Sequence, residues 1–549
     1  MPRVTLERVR ELARERLGFE DLRPGQIEAI RSVVGGRDTL CVMSTGSGKS
    51  AIYQLAGMLL DGPTVVVSPL ISLQQDQLEA VKSTEGGEAA TINSTLTKRQ
   101  RDQALEDAGE DELEFLLMAP EQLANDDVLD QLRDTGVSLF VIDEAHCVSQ
   151  WGHDFRPDYL RIGPAIAALG HPPVLALTAT AAPPVRDEIV DVLGMEDPAV
   201  VVKGFDRPNV RLEVVRFHDG DTKHRALLDR TAETAGPGIV YCATKKGAEQ
   251  VARALRERGV RAEHYHGRLT AKRRAERQQA FMEGGGIDVM VATIAFGMGI
   301  DKPDVRFVFH HDISESVDSY YQEIGRAGRD GEPADAVLFY RAEDLGLRRF
   351  FASGRVKDDE LQQVAQALLV SRVPPRPKDL VEDLKISDTK LATAVAHLEK
   401  AGFAEVLDDG SVRALRDGVE LRQAVDHAGE AEEYRQAFDR SRVDMMRAYA
   451  EADDCRRAFI LGYFGEEYEP PCGNCDVCER TDAKAPAQRD AGPFGVGERV
   501  RHPQWGVGTV GQVNDGQLTV VFDTIGYKTL ELDLVLEREL LAPESEERR

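Results

Sequence analysis

Between Thr39 and Thr180, short apolar runs rich in β-branched residues recur at Leu40–Met43, Val65–Val67, Phe115–Met118, Leu139–Ile142 and Val174–Leu177. Longer stretches of helical period separate them, and strands alternating with helices predict a parallel sheet covered on both faces. The alternation restarts after Phe205, with Ile239–Cys242, Val289–Ala292, Val305–Phe309 and Ala336–Tyr340. Two α/β domains in tandem are therefore expected, over residues 1–205 and 206–354.

Beyond about Phe351 the alternation stops. Residues Asp379 to Val412 predict a helix, a short turn, a second helix (Asp388–Gly402) and a hairpin turning at Asp408-Asp409-Gly410. That order suggests a winged helix within 355–430. Glu432 to Phe464 has helical period and leads into a cysteine cluster, giving a region 431–480. Residues 481–493 are rich in Ala, Pro and polar side chains without periodicity, which marks a linker. From Gly495 to Leu540, β runs (Gly508–Val513, Leu518–Phe522) broken by glycines suit a small barrel of SH3 size, placed at 494–549.

Composition narrows the class. The chain has 549 residues, 42% of them hydrophobic, enough for several cores and too many for a disordered chain. Sixty-eight Lys and Arg stand against 95 Asp and Glu, a net charge of −27. Non-specific coating of nucleic acid relies on phosphate neutralisation, so any DNA or RNA contact must be local. No run of 18 apolar residues occurs, and Met1–Phe19 is amphipathic and carries Glu7, Glu11 and Glu15. Neither a membrane span nor a targeting peptide is predicted. Seven cysteines cannot form a disulfide framework, and three crowd at Cys472, Cys475 and Cys478. A metal site in a reducing compartment follows, so a cytoplasmic protein is expected, nucleoid-associated if bacterial.

Ser44-Thr45-Gly46-Ser47-Gly48-Lys49-Ser50 follows a β run and opens a helical stretch, where backbone N–H groups can cradle phosphates. Lys49 would reach the β- and γ-phosphates of ATP and Ser50 would ligate Mg²⁺. Asp143-Glu144-Ala145-His146 ends the run Leu139–Ile142 at the carboxyl edge of the sheet, where ligands bind. There Asp143 can hold Mg²⁺ through water while Glu144 orients or deprotonates the attacking water. Gln322–Arg329 is expected at the start of a helix in the second unit, offering Arg326 or Arg329 as a cation on the γ-phosphate. Cys455, seventeen residues before Cys472, completes with Cys475 and Cys478 a set of four thiolates suited to structural Zn²⁺. Cys41, Cys147 and Cys242 lie at or beside apolar strands and read as packing residues.

Together Leu17-Gly18-Phe19, Arg23-Pro24-Gly25-Gln26, the phosphate loop, Asp143–Pro157, Thr178-Ala179-Thr180, Ala292–Asp301 and Gln322–Gly331 resemble the RecQ family of superfamily 2 DNA helicases. The resemblance covers roughly Leu17 to Tyr340 and resumes over Met445 to Cys478. It implies two RecA-like lobes and an ATP-dependent 3′-to-5′ DNA helicase acting on single-stranded and branched DNA in repair or recombination. It implies adenine reading by Gln26 with Arg23 in the same segment. It also implies that the loop holding Trp151, Phe155 and Arg156 senses single-stranded DNA. Trp151 and Phe155 offer stacking faces and Arg156 a phosphate partner. Ser68, Thr244 and Thr293 match backbone-contacting motifs, positions that orient without reading sequence. Arg261–Arg277 carries six Lys and Arg against two Glu and could line the strand path.

The pattern also departs from that family. The winged-helix candidate precedes the zinc module instead of following it, and Pro374–Arg413 has six Lys and Arg against eight Asp and Glu. DNA contact by its wing is therefore in doubt. The segment Gly497–Val510 resembles the Tudor-like tail of UvrD and PcrA helicases, which contacts RNA polymerase. Gly495–Leu541 has four Lys and Arg against seven Asp and Glu, which favours a protein partner, RNA polymerase or a repair protein. A barrel docking within the molecule is the other reading of that tail. Two alternatives to the helicase remain: an RNA-stimulated ATPase, and an ATP-gated DNA-binding adaptor with little unwinding.

Overall fold

Apolar tetrapeptides set the architecture. The chain is described here from a computed structural model, which covers all residues except 1–4, 45, 84–86, 111, 150–154, 298–299, 353–357, 372, 408–410, 416–418, 467, 481–493, 496–497, 515 and 545–549. Thr39–Val42 (β1), Thr64–Val67 (β2), Ala89–Ile92 (β3), Phe115–Met118 (β4), Leu139–Ile142 (β5), Val174–Thr178 (β6) and Ala199–Val202 (β7) form one sheet. Its order is β3-β4-β2-β5-β6-β1-β7, and every pairing is parallel. The central strands are buried along their whole length, the condition for continuous Val, Ile and Leu runs in a two-sided parallel sheet. The edge strands β3 and β7 are only partly buried and were not expected, β3 carrying a polar Thr91 and β7 being a short Ala-Val-Val-Val run.

The second sheet is built from Val210–Arg216 (β8), Gly238–Tyr241 (β9), Ala262–Tyr265 (β10), Val289–Ala292 (β11), Phe307–His310 (β12) and Ala334–Tyr340 (β13). Its order is β10-β11-β9-β12-β13-β8, again parallel, with β8 at one edge. The expected strand at Val305–Phe309 begins two residues later, because Val305 accepts a hydrogen bond from Gly328 N outside the ladder.

Helices Asp358–Val370, Pro377–Leu384 and Asp388–Lys400 precede an antiparallel hairpin of Ala404–Val406 (β14) and Val412–Ala414 (β15). The expected turn at Asp408-Asp409-Gly410 lies outside the described residues, as does the linker 481–493. Leu361, Leu391, Leu398, Phe403 and Val412 form the core of this unit with Ala424 and Ala428 of the next helix. That helix, Leu421–Glu451, runs unbroken for 31 residues through the boundary expected at 430 and 431. The unit and the zinc region therefore share one rod.

The tail is a five-stranded antiparallel sheet of Arg499–His502 (β16), Gly506–Asn514 (β17), Gln517–Phe522 (β18), Gly526–Glu531 (β19) and Ala542–Pro543 (β20), ordered β19-β18-β17-β16-β20. It lies against the long helix. Tyr527 inserts between Phe438 and Tyr463, with ring centroids 5.7 and 5.2 Å apart, and its N–H donates to Ser441 Oγ at 2.9 Å. A Cβ on Gly526 would stand 2.2 Å from that oxygen, so this contact requires glycine. Among the described residues no helix is long and apolar enough to cross a membrane.

Candidate nucleotide site and metal centre

The phosphate loop joins β1 to helix Lys49–Gly57. Gly46 and Gly48 take φ of 74° and 79°, left-handed values that favour glycine. Gln26 Nε2 donates to the carbonyls of Ser47 and Gly48 at 3.1 and 3.0 Å, and its Oε1 accepts from Arg23 N at 2.8 Å. A Cβ at position 48 would come within 2.6 Å of that amide nitrogen. Lys49 Nζ donates to the carbonyls of Met43 and Ser44 at 3.0 and 3.3 Å. Burial lowers its pKa, while Glu144 and Asp143 pull it back up. Ser50 is exposed in the first turn of the helix, and Thr45 lies outside the described residues.

The acidic pair lies within electrostatic reach of Lys49. Asp143 accepts from Glu144 N at 2.9 Å and from Gln77 Nε2 at 2.7 Å. Burial and the neighbouring Glu144 push its carboxyl up to about 6, against the pull of Lys49. Glu144 itself has a φ of 49° and lies 3.3 Å from His146 Nδ1. The same ring nitrogen is 2.9 Å from Thr178 Oγ1 at the end of β6. Burial, then Lys49 and Arg156, hold His146 down at about 3, so its imidazole is neutral at physiological pH. A buried polar path thus joins the acidic pair to Thr178-Ala179-Thr180.

The loop after the acidic pair returns to it, since Tyr159 OH donates to the Asp143 carbonyl at 3.1 Å. Arg156 donates to Pro69 O at 2.6 Å, and Phe155 is half-buried. Trp151 lies outside the described residues. Ser68 is fully buried, its carbonyl accepting from Gln74 Nε2 at 3.1 Å. Thr244 caps helix Lys245–Glu257 through Gly247 N at 3.0 Å, and Thr293 is largely buried at the end of β11. In the basic segment Arg261 pairs with Asp288 and Arg277 with Glu263, whereas Arg268, Lys272 and Arg273 are exposed.

The second lobe supplies the outer wall. The two arginines expected at a helix start lie instead beyond the end of helix Val317–Ile324. Gly325 follows its last residue, and Gly328 turns the chain with a φ of 55°. Arg326 is buried, aimed at the Ile300 carbonyl at 3.5 Å. Arg329 pairs with Asp301, and its Cγ and Cδ stand 3.6 and 3.7 Å from where a Cβ of Gly46 would be. Burial and the charge of Arg326 lower its pKa. Between the lobes lies a cavity of about 200 Å³ walled by Arg23, Ser44, Gly46, Arg207 and Arg329. Arg23 and Arg329 beside the glycine loop suit a polyphosphate, whereas the Arg207 guanidinium is turned onto main-chain carbonyls of the second lobe. Gln77, Arg207 and Asn209 were not singled out from the sequence. The one signal for the last two was the polar stretch Asp206-Arg207-Pro208-Asn209 between two α/β units.

Beside the edge strand β8 of the second sheet, the sulfurs of Cys455, Cys472, Cys475 and Cys478 all lie within 4.8 Å of one another. Cys472 and Cys478 are 3.9 Å apart, close to the roughly 3.8 Å edge of a tetrahedron with 2.3 Å Zn–S bonds. Asn474 N and Cys478 N donate to Cys472 Sγ and Cys475 Sγ, both at 3.4 Å, as befits thiolate ligands. The donor set fits Zn²⁺ and would hold it as a closed structural centre. The loop is tied to β8: Leu212 N donates to Asn474 O at 3.3 Å, and Asn474 Nδ2 to Pro208 O at 2.8 Å. Cys41, Cys147 and Cys242 are buried.

Three family profiles match: DEAD/DEAH box helicase over residues 23–189, helicase conserved C-terminal domain over 222–331, and RecQ zinc-binding over 415–479. The chain is 36% identical over 465 residues to the probable ATP-dependent DNA helicase RecS of Bacillus subtilis, covering 84% of this chain and 89% of that one. To the ATP-dependent DNA helicase RecQ of the same organism it is 36% identical, covering 88% of this chain and 69% of the relative. Against RecQ of Pasteurella multocida it is 35% identical and spans 60% of that protein's length. Among solved structures, the helicase MrfA bound to DNA superposes with a TM-score of 0.52 at 17% identity, over 78% of this chain and 64% of that one. DEAD-box helicase Mss116 superposes with a TM-score of 0.50 at 16% identity, over 72% and 90%. These structural likenesses show the fold, two tandem RecA-like lobes. With the lobes, the zinc region and the RecS likeness in agreement, this chain belongs to the RecQ family of ATP-dependent DNA helicases.

Proposed function

We propose that the protein hydrolyses ATP between its lobes to move 3′ to 5′ along single-stranded DNA and separate duplex or branched DNA. The observation that carries this reading is the approach of Arg329 from the second lobe to Gly46 of the phosphate loop, whose Lys49 is within electrostatic reach of Glu144, Asp143 and Arg329. Gln26 and Arg23 take the nucleotide base side, and residues 44–50 cradle the phosphates. Ser50 and Asp143 would hold Mg²⁺, which when bound neutralises charge on the phosphates. Glu144 orients the attacking water, and Arg329 stabilises charge developing on the γ-phosphate. Arg326, aimed into its own lobe, supports the turn that carries Arg329.

DNA contact is assigned to Trp151, Phe155 and Arg156, which follow the acidic pair directly, with Ser68, Thr244 and Thr293 along the backbone path. Coupling runs from that loop through Tyr159 and His146 to Asp143, Glu144 and Thr178. The helices and hairpin of 355–430 are read as a winged helix, and the tail sheet as a Tudor-like unit that could meet RNA polymerase or a repair protein. A cytoplasmic setting, nucleoid-associated if the protein is bacterial, accords with this chemistry.

The test compares 3′-tailed and 5′-tailed duplexes with ATP and Mg²⁺, beside ATPase with single-stranded DNA, with RNA and with neither. Separation of the 3′-tailed duplex alone is expected. DNA-stimulated hydrolysis without separation would replace the helicase by an adaptor, and equal stimulation by RNA would overturn the DNA assignment.

A further inference from the structure

The chain passes from β7 to β8 through residues 203–209, and two polar side chains of this crossing, Arg207 and Asn209, are turned onto the second lobe. Arg207 donates to Gly325 O at 3.1 Å and, through its other terminal nitrogen, to Ala327 O at 2.6 Å and Gly328 O at 2.9 Å. Asn209 Nδ2 donates to Gly328 O at 2.7 Å and Glu332 O at 2.9 Å. The acceptors are main-chain carbonyls of the turn between Ile324 and Glu332, which carries Arg326 and Arg329. The clasp is close, because a Cβ on Gly328 would stand 2.5 Å from Asn209 Nδ2. Tyr321, on the helix leading into the turn, donates to the Phe205 carbonyl at 2.8 Å and so ties the other end of the crossing.

The crossing is itself anchored. Arg457 holds Asp206 at 2.9 Å, and Asn474 of the zinc loop donates to Pro208 O at 2.8 Å. Arg207 lies in the wall of the interlobe cavity, alongside Arg23 and Arg329. A guanidinium is suited to this work, since its fixed fork of N–H groups can serve several carbonyls at once where an ammonium cannot. We propose that Arg207, assisted by Asn209, is a positioning residue that sets the reach of Arg329 into the nucleotide cleft by fastening the arginine turn to the interlobe crossing. The inference rests on Arg329 acting at the γ-phosphate as read above. A displacement of the finger by about 1 Å is enough to cost about 10²-fold in rate.

The experiment is a mutant cycle on the full chain with saturating single-stranded DNA, using Arg207→Ala, Arg329→Ala and the double variant. It reads kcat, KM for ATP, melting temperature, and affinity for ADP alone and for ADP with aluminium fluoride. Arg207→Ala is expected to lower kcat about 10- to 100-fold with KM within about threefold. Its ADP affinity should hold, the aluminium fluoride complex should weaken by the fold lost in kcat, and adding it to Arg329→Ala should cost less than about twofold more. Multiplicative losses in the double variant would overturn the proposal, as would an unchanged kcat in Arg207→Ala. An unchanged kcat in Arg329→Ala would overturn the finger assignment itself, and the proposal with it, which separates the two failures. Should Arg207→Ala melt early, Arg207→Lys and Asn209→Ala carry the same cycle, each with a smaller loss of kcat that vanishes without Arg329.

Discussion

Gln26 does two things with one amide. Its oxygen holds the main chain at Arg23 and its nitrogen holds the carbonyls of Ser47 and Gly48, so the base-side segment and the phosphate loop move as a unit. Gln26→Ala should therefore raise KM for ATP about tenfold, the effect of losing one or two buried hydrogen bonds, with melting temperature little changed. Lys49→Ala should lower kcat about 10³-fold in a steady-state ATPase assay, since among the described residues lining the cavity there is no lysine to replace it. His146 is the residue through which the acidic pair meets β6, and as a neutral imidazole it can donate only one ring hydrogen. The acidic pair and the phosphate loop could be read from residue types alone, because both follow apolar strands. Gln77, which holds Asp143, could not: it is one glutamine in a helix, and only the fold brings it across 66 residues of chain.

At the scale of elements, the buried strands were legible because continuous Val, Ile and Leu runs need two covered faces. β3, β8 and β10 escaped, being edge or half-exposed strands with interspersed polar residues, and β7, an apolar Ala-Val-Val-Val edge strand, was not expected either. The arginine turn was misplaced relative to its helix because glycines at 325 and 328 serve equally to open or close one. The long helix Leu421–Glu451 meets the preceding unit through a buried ionic cluster, with His397 Nε2 3.2 Å and Arg435 2.8 Å from the Glu432 carboxylate. Burial alone would raise the Glu432 carboxyl, but these partners outweigh it and hold it at about 2. A carboxyl held below its unfolded value contributes stability above about pH 4.5 that disappears as pH falls toward 2. Thermal melts from pH 7 to 3 should therefore show a loss of about 2–3 kcal/mol that the Glu432→Gln variant lacks, having already lost it at pH 7.

Across the whole molecule, the accessory parts hold the motor from behind. Arg186 of the first lobe donates to the Phe464 carbonyl, Phe464 stacks on Phe205 of the crossing at 4.5 Å, and Tyr463 OH donates to Asp318 of the second lobe at 2.6 Å. Tyr527 seals this junction from the tail, so Tyr527→Ala should cost about 3–5 kcal/mol of tail docking, read as faster proteolysis of residues 494–549 than in the parent. DNA-stimulated ATPase should survive that change. The zinc loop has a further consequence, which concerns association. β8 is the last strand of the second sheet, and on its outer side Leu212 forms a parallel bridge with Cys475. The metal loop thus covers part of a row of main-chain donors and acceptors that would otherwise be open to another chain. Chelation should accordingly make the protein sticky before it unfolds: light scattering should rise with protein concentration while helical circular dichroism is still intact. A metal usually credited with holding one chain together would then also keep separate copies apart.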